Sequence, residues 1–390
     1  MIKIKEEIVF VSSLANIREY KHALALKKTK RYHLKLIAFQ TIPIFDFENV
    51  FDEVKIYGPK MSNKIFRLGF NILHQHFGSY YAKKLAKIIR KEKPYMFHTF
   101  ASYDNEMSHV VMKNTTLPVI YDGQDFLGIS VGIENISKSQ KTKEKFCLEH
   151  ANGIVRKGSK FEIDYYRQHG YNIRCPELQF LPYCDRDLFV NEKTKLSSKD
   201  GEIHVVYTGA VSPDPKYRYI YYIPLGELLA KQKIHLHLYP AIYRPRLFKE
   251  YLEMNKTEKY FHFHKPVPYN KINKEIAKYD WGVWILENIR SKQWTKEKMK
   301  IAVANKIFSY LEAGLPVIQS EHVYGKEMIE KYKIGFCIKD EELKNLKLMI
   351  ESYNYEKIRK NVLKAREELS LDKQVHKLEN FYKIVVSKCK

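Results

Sequence analysis

No stretch of this chain approaches the ~18 consecutive apolar residues that a membrane-crossing helix needs. Met1 to Phe10 alternate charged with apolar side chains and lack the continuous apolar centre of a secretory leader. The expectation is a soluble or peripheral protein, cytoplasmic or resting on the inner face of the cell membrane. Cysteine is scarce: Cys147, Cys175, Cys184, Cys337 and Cys389 are odd in number and scattered. That excludes a disulfide framework or a paired-cysteine zinc site and leaves reduced thiols. Low-complexity tracts and short-period repeats are missing too, so no repeat organises the chain. Acidic residues are in deficit, with 68 lysines and arginines against 45 aspartates and glutamates, a formal charge of +23. The excess favours anionic surroundings such as phospholipid head groups, acidic polysaccharide or nucleic acid. Nucleic acid is not expected as a partner, because the basic residues are dispersed and the aromatics form no RNA-recognition signature.

What is present is an ordinary globular composition, 45% hydrophobic over 390 residues, enough to bury two cores. Glu7 to Val11 reads as an apolar strand, Ile17 to Lys30 as a helix, and Leu34 to Phe39 and Val54 to Tyr57 as strands. A long helix from about Ile65 to Lys91 leads to a strand at Tyr95 to His98, a helix near Asn105 to Lys113 and a strand at Pro118 to Tyr121. Strands separated by helices predict right-handed crossovers and a doubly wound parallel sheet. The polar stretch Asn191 to Gly201 reads as a solvated linker. The pattern then restarts with strands at His204 to Tyr207, Ile234 to Leu238, Trp281 to Ile285 and Gly335 to Ile338. The expected organisation is an N-terminal Rossmann-like domain over 1–192, a C-terminal one over 202–368, and a terminal helix over 369–390.

The most informative segment is Asn305 to Ile318. Ile307, Tyr310 and Leu311 recur at helical spacing, Gly314 supplies a left-handed stop, Pro316 prevents continuation, and Val317-Ile318 begin a buried strand. One cation, Lys306, stands at the helix start, where phosphate is favoured. The segment resembles the nucleotide-sugar-binding signature of glycosyltransferases with the two-domain GT-B architecture, specifically the bacterial "glycosyl transferases group 1" family of surface-glycan biosynthesis. Further segments match in order: Val119 to Asp122, Glu149 to Val155, Leu181 to Phe189, Tyr279 to Val283, and Ala365 through Ser370 to Leu378 and Tyr382. The resemblance implies two Rossmann-like α/β domains facing across a cleft, the C-terminal helix crossing back to the first.

It also implies roles. Lys306 would offset the diphosphate of the donor, Gly209 and Ala210 would let backbone approach it, and Ser309 would hydrogen-bond phosphate or ribose. Val267 and Tyr269 follow a strand where relatives cradle the base. Two glutamates eight positions apart in retaining members fall here on Ser309 and Ile301, and the family's first basic position is Ala210, with Lys216 near the second. Arg290, Lys292 and Lys296 are candidates to replace the missing arginine. For the base that removes the acceptor proton, the carboxyl-end rule for open sheets nominates Asp122 and Asp125, then His98, then Asp104. As structural alternatives, Asp104 is an N-cap and Asp122-Gly123 a turn. Asp185-x-Asp187 has the form of a metal pair, but it matches a structural element near the junction, so no metal or other cofactor is expected.

The expected function is metal-independent transfer of a sugar from a nucleotide-sugar donor to a hydroxyl of a cell-surface glycan, a polysaccharide or lipopolysaccharide type of acceptor, or a lipid-linked oligosaccharide. A catalytically silent partner of the same fold, or a polyanion-binding protein, remains as an alternative. The helix from Ile65 to Lys91 carries an apolar face flanked by Lys83, Lys84 and Lys87 and suggests an anionic membrane surface as a further partner.

Overall fold

The computed structural model of the protein describes residues 5–42, 44–58, 80–102, 105–192, 194–217, 220–241, 246–286 and 295–389. They divide into two compact units, one of Met1–Pro182 with Gln374–Lys390 and one of Tyr183–Lys373. No helix among the described residues is long and apolar enough to cross a membrane.

In the first unit, strands β1 (Glu6–Ala15), β2 (Tyr32–Thr41), β3 (Glu53–Ile56), β4 (Met96–Ser102), β5 (Val119–Asp125), β6 (Gly153–Arg156) and β7 (Glu177–Gln179) form one sheet in the order β3-β2-β1-β4-β5-β6-β7. The pairings are parallel. Ile8 to Val11 of β1 are all buried, because a parallel strand between helical layers is covered on both faces. The strand order reverses between β1 and β4, and the carboxyl ends of those strands are where such sheets bind ligands. The helix Ile17–Thr29 that follows β1 opens with a capping box between Asn16 and Glu19 and ends at Lys30 in the left-handed region, φ 59°.

The anticipated long helix from Ile65 falls partly outside the described residues. Residues 80–89 are helical, with Leu85 and Ile89 in the core beside Val9, Ile37 and Phe97, and Lys83, Lys84 and Lys87 exposed. Residues 374–387 of the helix Leu371–Ser387 close the unit, as the crossing-back helix predicts, burying Leu378, Phe381, Tyr382 and Val385.

The second unit contains β8 (Ile203–Gly209), β9 (Ile234–Pro240), β10 (Phe261–Phe263), β11 (Trp281–Trp284), β12 (Val317–Ser320) and β13 (Gly335–Ile338), ordered β10-β9-β8-β11-β12-β13. Again the pairs are parallel, so the fold is α/β with two doubly wound sheets. The unit begins at Tyr183, ahead of the polar stretch, because backbone bonds secure this segment. Cys184 N donates to Leu369 O and Leu371 N to Cys184 O, both at 2.8 Å. Asp185 N donates to the Glu312 carboxylate at 2.7 Å. The stretch 191–201 includes a short helix, Ser197–Asp200.

One face of β8, β9 and β10 carries a feature of its own. The apolar alternates Val205, Leu236, Leu238, Phe261 and Phe263 are core. The intervening positions present His204, His235, His237 and His262, and His264 follows β10. Their rings stack, His204 on His235 at 4.3 Å and His237 on His262 at 4.2 Å. Tyr279 covers His237 at 4.2 Å and Tyr239 covers His264 at 4.3 Å. Burial depresses the pKa of His204, of His237 strongly, and of His262 and His264 to about 4, so these rings are neutral at pH 7.

The helix Asn305–Glu312 is seated by Tyr310. Its ring lies where a side chain at Gly282 would be, since a Cβ there would come within 2.3 Å of the ring. Gly282→Ala should therefore destabilise the protein by roughly 1–3 kcal/mol through overpacking, measured by urea unfolding. Unchanged stability would show that the ring is free to move aside.

Candidate functional site

In the first unit, the carboxyl ends of β4 and β5 bring together two of the nominated residues. Asp122 accepts from Arg18 Nε at 2.6 Å on one oxygen, and its other oxygen lies 3.3 Å from both His22 Nε2 and His98 Nε2. His98 Nδ1 is 2.7 Å from Tyr382 Oη on the C-terminal helix. Arg18 also donates to Phe180 O at 3.1 Å. Burial alone would raise the Asp122 carboxyl, but the Arg18 guanidinium together with the hydrogen bonds from His22 and His98 outweighs it and holds the group ionised, well below the usual carboxylate range. Burial lowers His98 to about 4 despite Asp122. A neutral His98 thus donates from Nε2 to the carboxylate and accepts from Tyr382 at Nδ1.

Asp122 and His98 are both 0% exposed. The turn reading of Asp122-Gly123 is replaced, since Asp122 is a strand residue and the charged hub of a buried network. Neither Asp122 nor His98 is open to an acceptor hydroxyl. Asp125, the last residue of β5, is only partly buried, with Oδ1 3.8 Å from Lys157 Nζ. Beside it Gln124 accepts from Asn16 at 2.9 Å, so the ends of β1 and β5 meet there. Asp104 lies outside the described residues.

In the second unit the sequence motif is realised. Helix Asn305–Glu312 has no side-chain cap at its start, and Gly314 adopts the left-handed conformation, φ 73°. Lys306, its second residue, reaches the end of β8. Its Cε would be 3.3 Å from a Cβ at Gly209, whose φ of 132° suits glycine alone. The ammonium stands 4.8 Å from the Tyr207 ring centre and 5.3 Å from that of Trp284, a cation–π cradle that aims it. Tyr310 Oη donates to Val283 O at 3.0 Å and accepts from Thr208 N at 3.2 Å, tying the helix to β8 and β11.

Of the other nominated residues, Ala210 is exposed, and its carbonyl accepts from Tyr207 at 2.8 Å. Ser309 is buried on the same helix as Lys306. Val267 and Tyr269 flank the start of helix Tyr269–Ile276, both partly buried. Lys216 is exposed and engaged with Asp214 at 2.8 Å. Lys296 is exposed on helix Lys296–Met299, while Arg290 and Lys292 lie outside the described residues. Asp185 caps the turn Arg186–Leu188, accepting from Asp187 N at 3.2 Å. Sequence reasoning missed the parts played by Arg18, Tyr382, Tyr207 and Trp284. Only the place of Arg18 just after the Asn16 cap hinted that it would point back toward the sheet.

Residues 226–378 match the family model described as glucosyltransferase 3-like, C-terminal domain, a span that includes helix Asn305–Glu312 but not β8. No curated protein matches the chain in sequence. Among solved structures, HepE from Anabaena in complex with UDP-glucose is similar with TM-score 0.65 and 13% identity, over 96% of this chain and 99% of that one. A glycosyltransferase from Rickettsia africae gives 0.63 and 16%, over 98% of each chain. A protein described as a UDP-N-acetylglucosamine 2-epimerase, from Listeria monocytogenes, gives 0.59 and 10%, over 95% and 94%. At such identities the likeness shows the fold, which is the expected GT-B fold. The family-model match likens residues 226–378 to a glucosyltransferase domain.

The buried network has a pH signature. His98 has an ordinary pKa of about 6.5 when unfolded and about 4 in the fold, so the unfolded chain takes up the proton first. Its contribution is complete above the unfolded value and is lost as pH falls from there toward 4, at up to ~1.4 kcal/mol per pH unit. Urea unfolding of wild type and His98→Gln at pH 7 and pH 5 should show a smaller pH loss in the variant. Equal losses would mean that His98 titrates normally.

Proposed function

We propose that the chain transfers a glycosyl residue from a nucleotide sugar, bound by the second unit at Gly209 and Lys306, to a hydroxyl of a surface glycan or lipid-linked oligosaccharide. The observation that carries this reading is the aimed ammonium of Lys306, packed against the partly exposed backbone corner at Gly209 and beside an uncapped helix start. A diphosphate needs a cation, approachable backbone and free helix-terminal amides. As the bond from sugar C1 to the phosphate oxygen breaks, the diphosphate leaves with the electron pair and Lys306 offsets its growing charge. The acceptor oxygen forms the new bond to C1, and its proton passes to a carboxylate. Asp125 is the proton acceptor in this reading, because Asp122 and His98 are sealed in the buried network. Cationic side chains and backbone amides supply the electrostatics, so the reaction runs without a divalent metal or other cofactor.

UDP-glucose is the first donor to test, given the glucosyltransferase-like domain and the ligand of HepE. With the donor that stabilises the protein, Lys306→Ala should weaken donor binding by ~1.5–3 kcal/mol, roughly 10- to 150-fold. Asp125→Asn should leave donor binding intact and lower kcat by roughly 100-fold or more, and wild-type transfer should persist in excess chelator. Unaltered kinetics in Lys306→Ala would remove it from the site, and activity restored only by manganese would overturn metal independence.

The exposed Lys83, Lys84 and Lys87 support a further part of the reading, attachment to anionic membrane where a lipid-linked acceptor would lie. Each such cation contributes ~1 kcal/mol near the surface. Binding to vesicles containing phosphatidylserine should fall as salt rises, fall further in the triple change of these lysines to Glu, and be nearly absent on phosphatidylcholine alone. Equal binding to both vesicles would contradict an electrostatic attachment.

A further inference from the structure

The histidine face ends, at the amino-terminal edge of β8 and β9, in four groups that the proposed reaction does not use. We propose that Asp200, His204 and His235, with Glu202 as fourth ligand, bind one divalent ion of the zinc class. His204 Nε2 lies 3.0 Å from Asp200 Oδ2, and His235 Nε2 lies 2.6 Å from Glu202 Oε2. The two rings are stacked and nearly parallel, at 6°, so both Nε2 atoms present to carboxylates only two positions apart in sequence. Donor atoms of Asp200, His204 and His235 already lie within 4.8 Å of one another. Zinc bonds of ~2.0–2.1 Å in a tetrahedron need donors roughly 3.3 Å apart. Closing the difference requires the stacked rings to open out of parallel so that their Nε2 lone pairs converge, with swings of Asp200, whose side chain is 43% exposed, and of Glu202, at 24%. Two imidazoles and two carboxylates suit a first-row transition ion better than magnesium or calcium, which prefer oxygen alone.

A second, independent feature points the same way. A ligating histidine commonly donates its other ring nitrogen to a partner that fixes its orientation. Here His204 Nδ1 lies 3.0 Å from His237 Nε2, and His237 Nδ1 lies 3.0 Å from His264 Nε2. His235 Nδ1 lies 2.8 Å from His262 Nε2. Without metal, each Nε2–H donates toward the carboxylate end. With metal on the Nε2 atoms of His204 and His235, every ring in both rows shifts its proton to Nδ1 and the hydrogen bonds reverse direction. The rings stay neutral and the proton count is unchanged. The rows therefore supply the outer shell in either state.

Two other groups of potential ligands among the described residues are less suited. In His22, His98 and Asp122, the Arg18 guanidinium already occupies the carboxylate. In Glu7, His33 and Glu53, Lys35 sits 3.1 Å from Glu53 and no second imidazole is present. Lys259 likewise touches Glu202, at 3.1 Å, but its side chain is 66% exposed and free to swing into water. The site is five residues before Gly209 on β8, roughly 16 Å away at the rise of a strand, and is separate from the donor corner.

The test is titration of the full chain, stripped with chelator, with Zn²⁺ at neutral pH, read by equilibrium dialysis and thermal unfolding, with Co²⁺ as a coloured probe. The expected result is one tight ion per chain, a Tm that rises with free Zn²⁺, and the visible spectrum of four-coordinate Co²⁺. His235→Ala should abolish all three, as should Asp200→Asn, an exposed position where the fold is not at risk. His262→Ala, which removes the support of His235, should weaken binding by roughly 10- to 100-fold, and His33→Ala should change nothing. Absence of binding, or binding unaffected by Asp200→Asn and His235→Ala, would overturn the proposal.

Discussion

The second unit depends on the space that Gly282 leaves for Tyr310. A side chain on the central strand β11 would strike the ring. With the ring in place, its hydroxyl holds the backbones of β8 and β11 together through Thr208 and Val283. That contact fixes the height and rotation of helix Asn305–Glu312. Lys306 then falls against Gly209, between the rings of Tyr207 and Trp284. The other end of the helix is held by Glu312, whose carboxylate accepts from Asp185 N and from Asn273. A cation placed so firmly has paid little entropy at the moment a diphosphate arrives, which is the advantage of preorganisation.

The first unit spends its charges differently. Asp122 joins the first helix through Arg18, strand β4 through His98, and through His98 the C-terminal helix at Tyr382. A buried ion pair of this kind gives modest net stability when intact, yet losing one partner typically costs ~3–5 kcal/mol. Its value here is specification: it ties the returning C-terminal segment to the first sheet. An acid committed in this way is a poor proton acceptor, and among the described candidates Asp125, three residues on, is the one left in partial contact with solvent.

Much of this was legible in the sequence. Covered parallel strands produce apolar runs such as Ile8 to Val11 and Val317-Ile318, and glycines mark where helices stop. The Lys306 motif also placed its helix correctly and implied the neighbourhood of Gly209. The buried network was not legible, because an aspartate at a strand end looks the same whether it faces solvent or an arginine 104 residues away. The histidine face was hidden for a related reason. Its spacing of two is plain in His235-x-His237 and His262-x-His264, but one face emerges only once the register of β8, β9 and β10 is known. The division at Pro182/Tyr183 also depends on long-range pairing, between Cys184 and Ser370.

The central claim is that the corner formed by Gly209, Lys306 and the start of helix Asn305–Glu312 receives the diphosphate of a nucleotide sugar. A crystal structure of the protein with UDP, or with whichever nucleoside diphosphate raises its Tm most, tests this most directly. The account predicts phosphate oxygens within hydrogen-bond distance of Lys306 Nζ and of backbone amides at Gly209–Ala210 or the helix start. A diphosphate bound elsewhere, with Lys306 still resting on Tyr207 and Trp284 and touching no ligand, would contradict it.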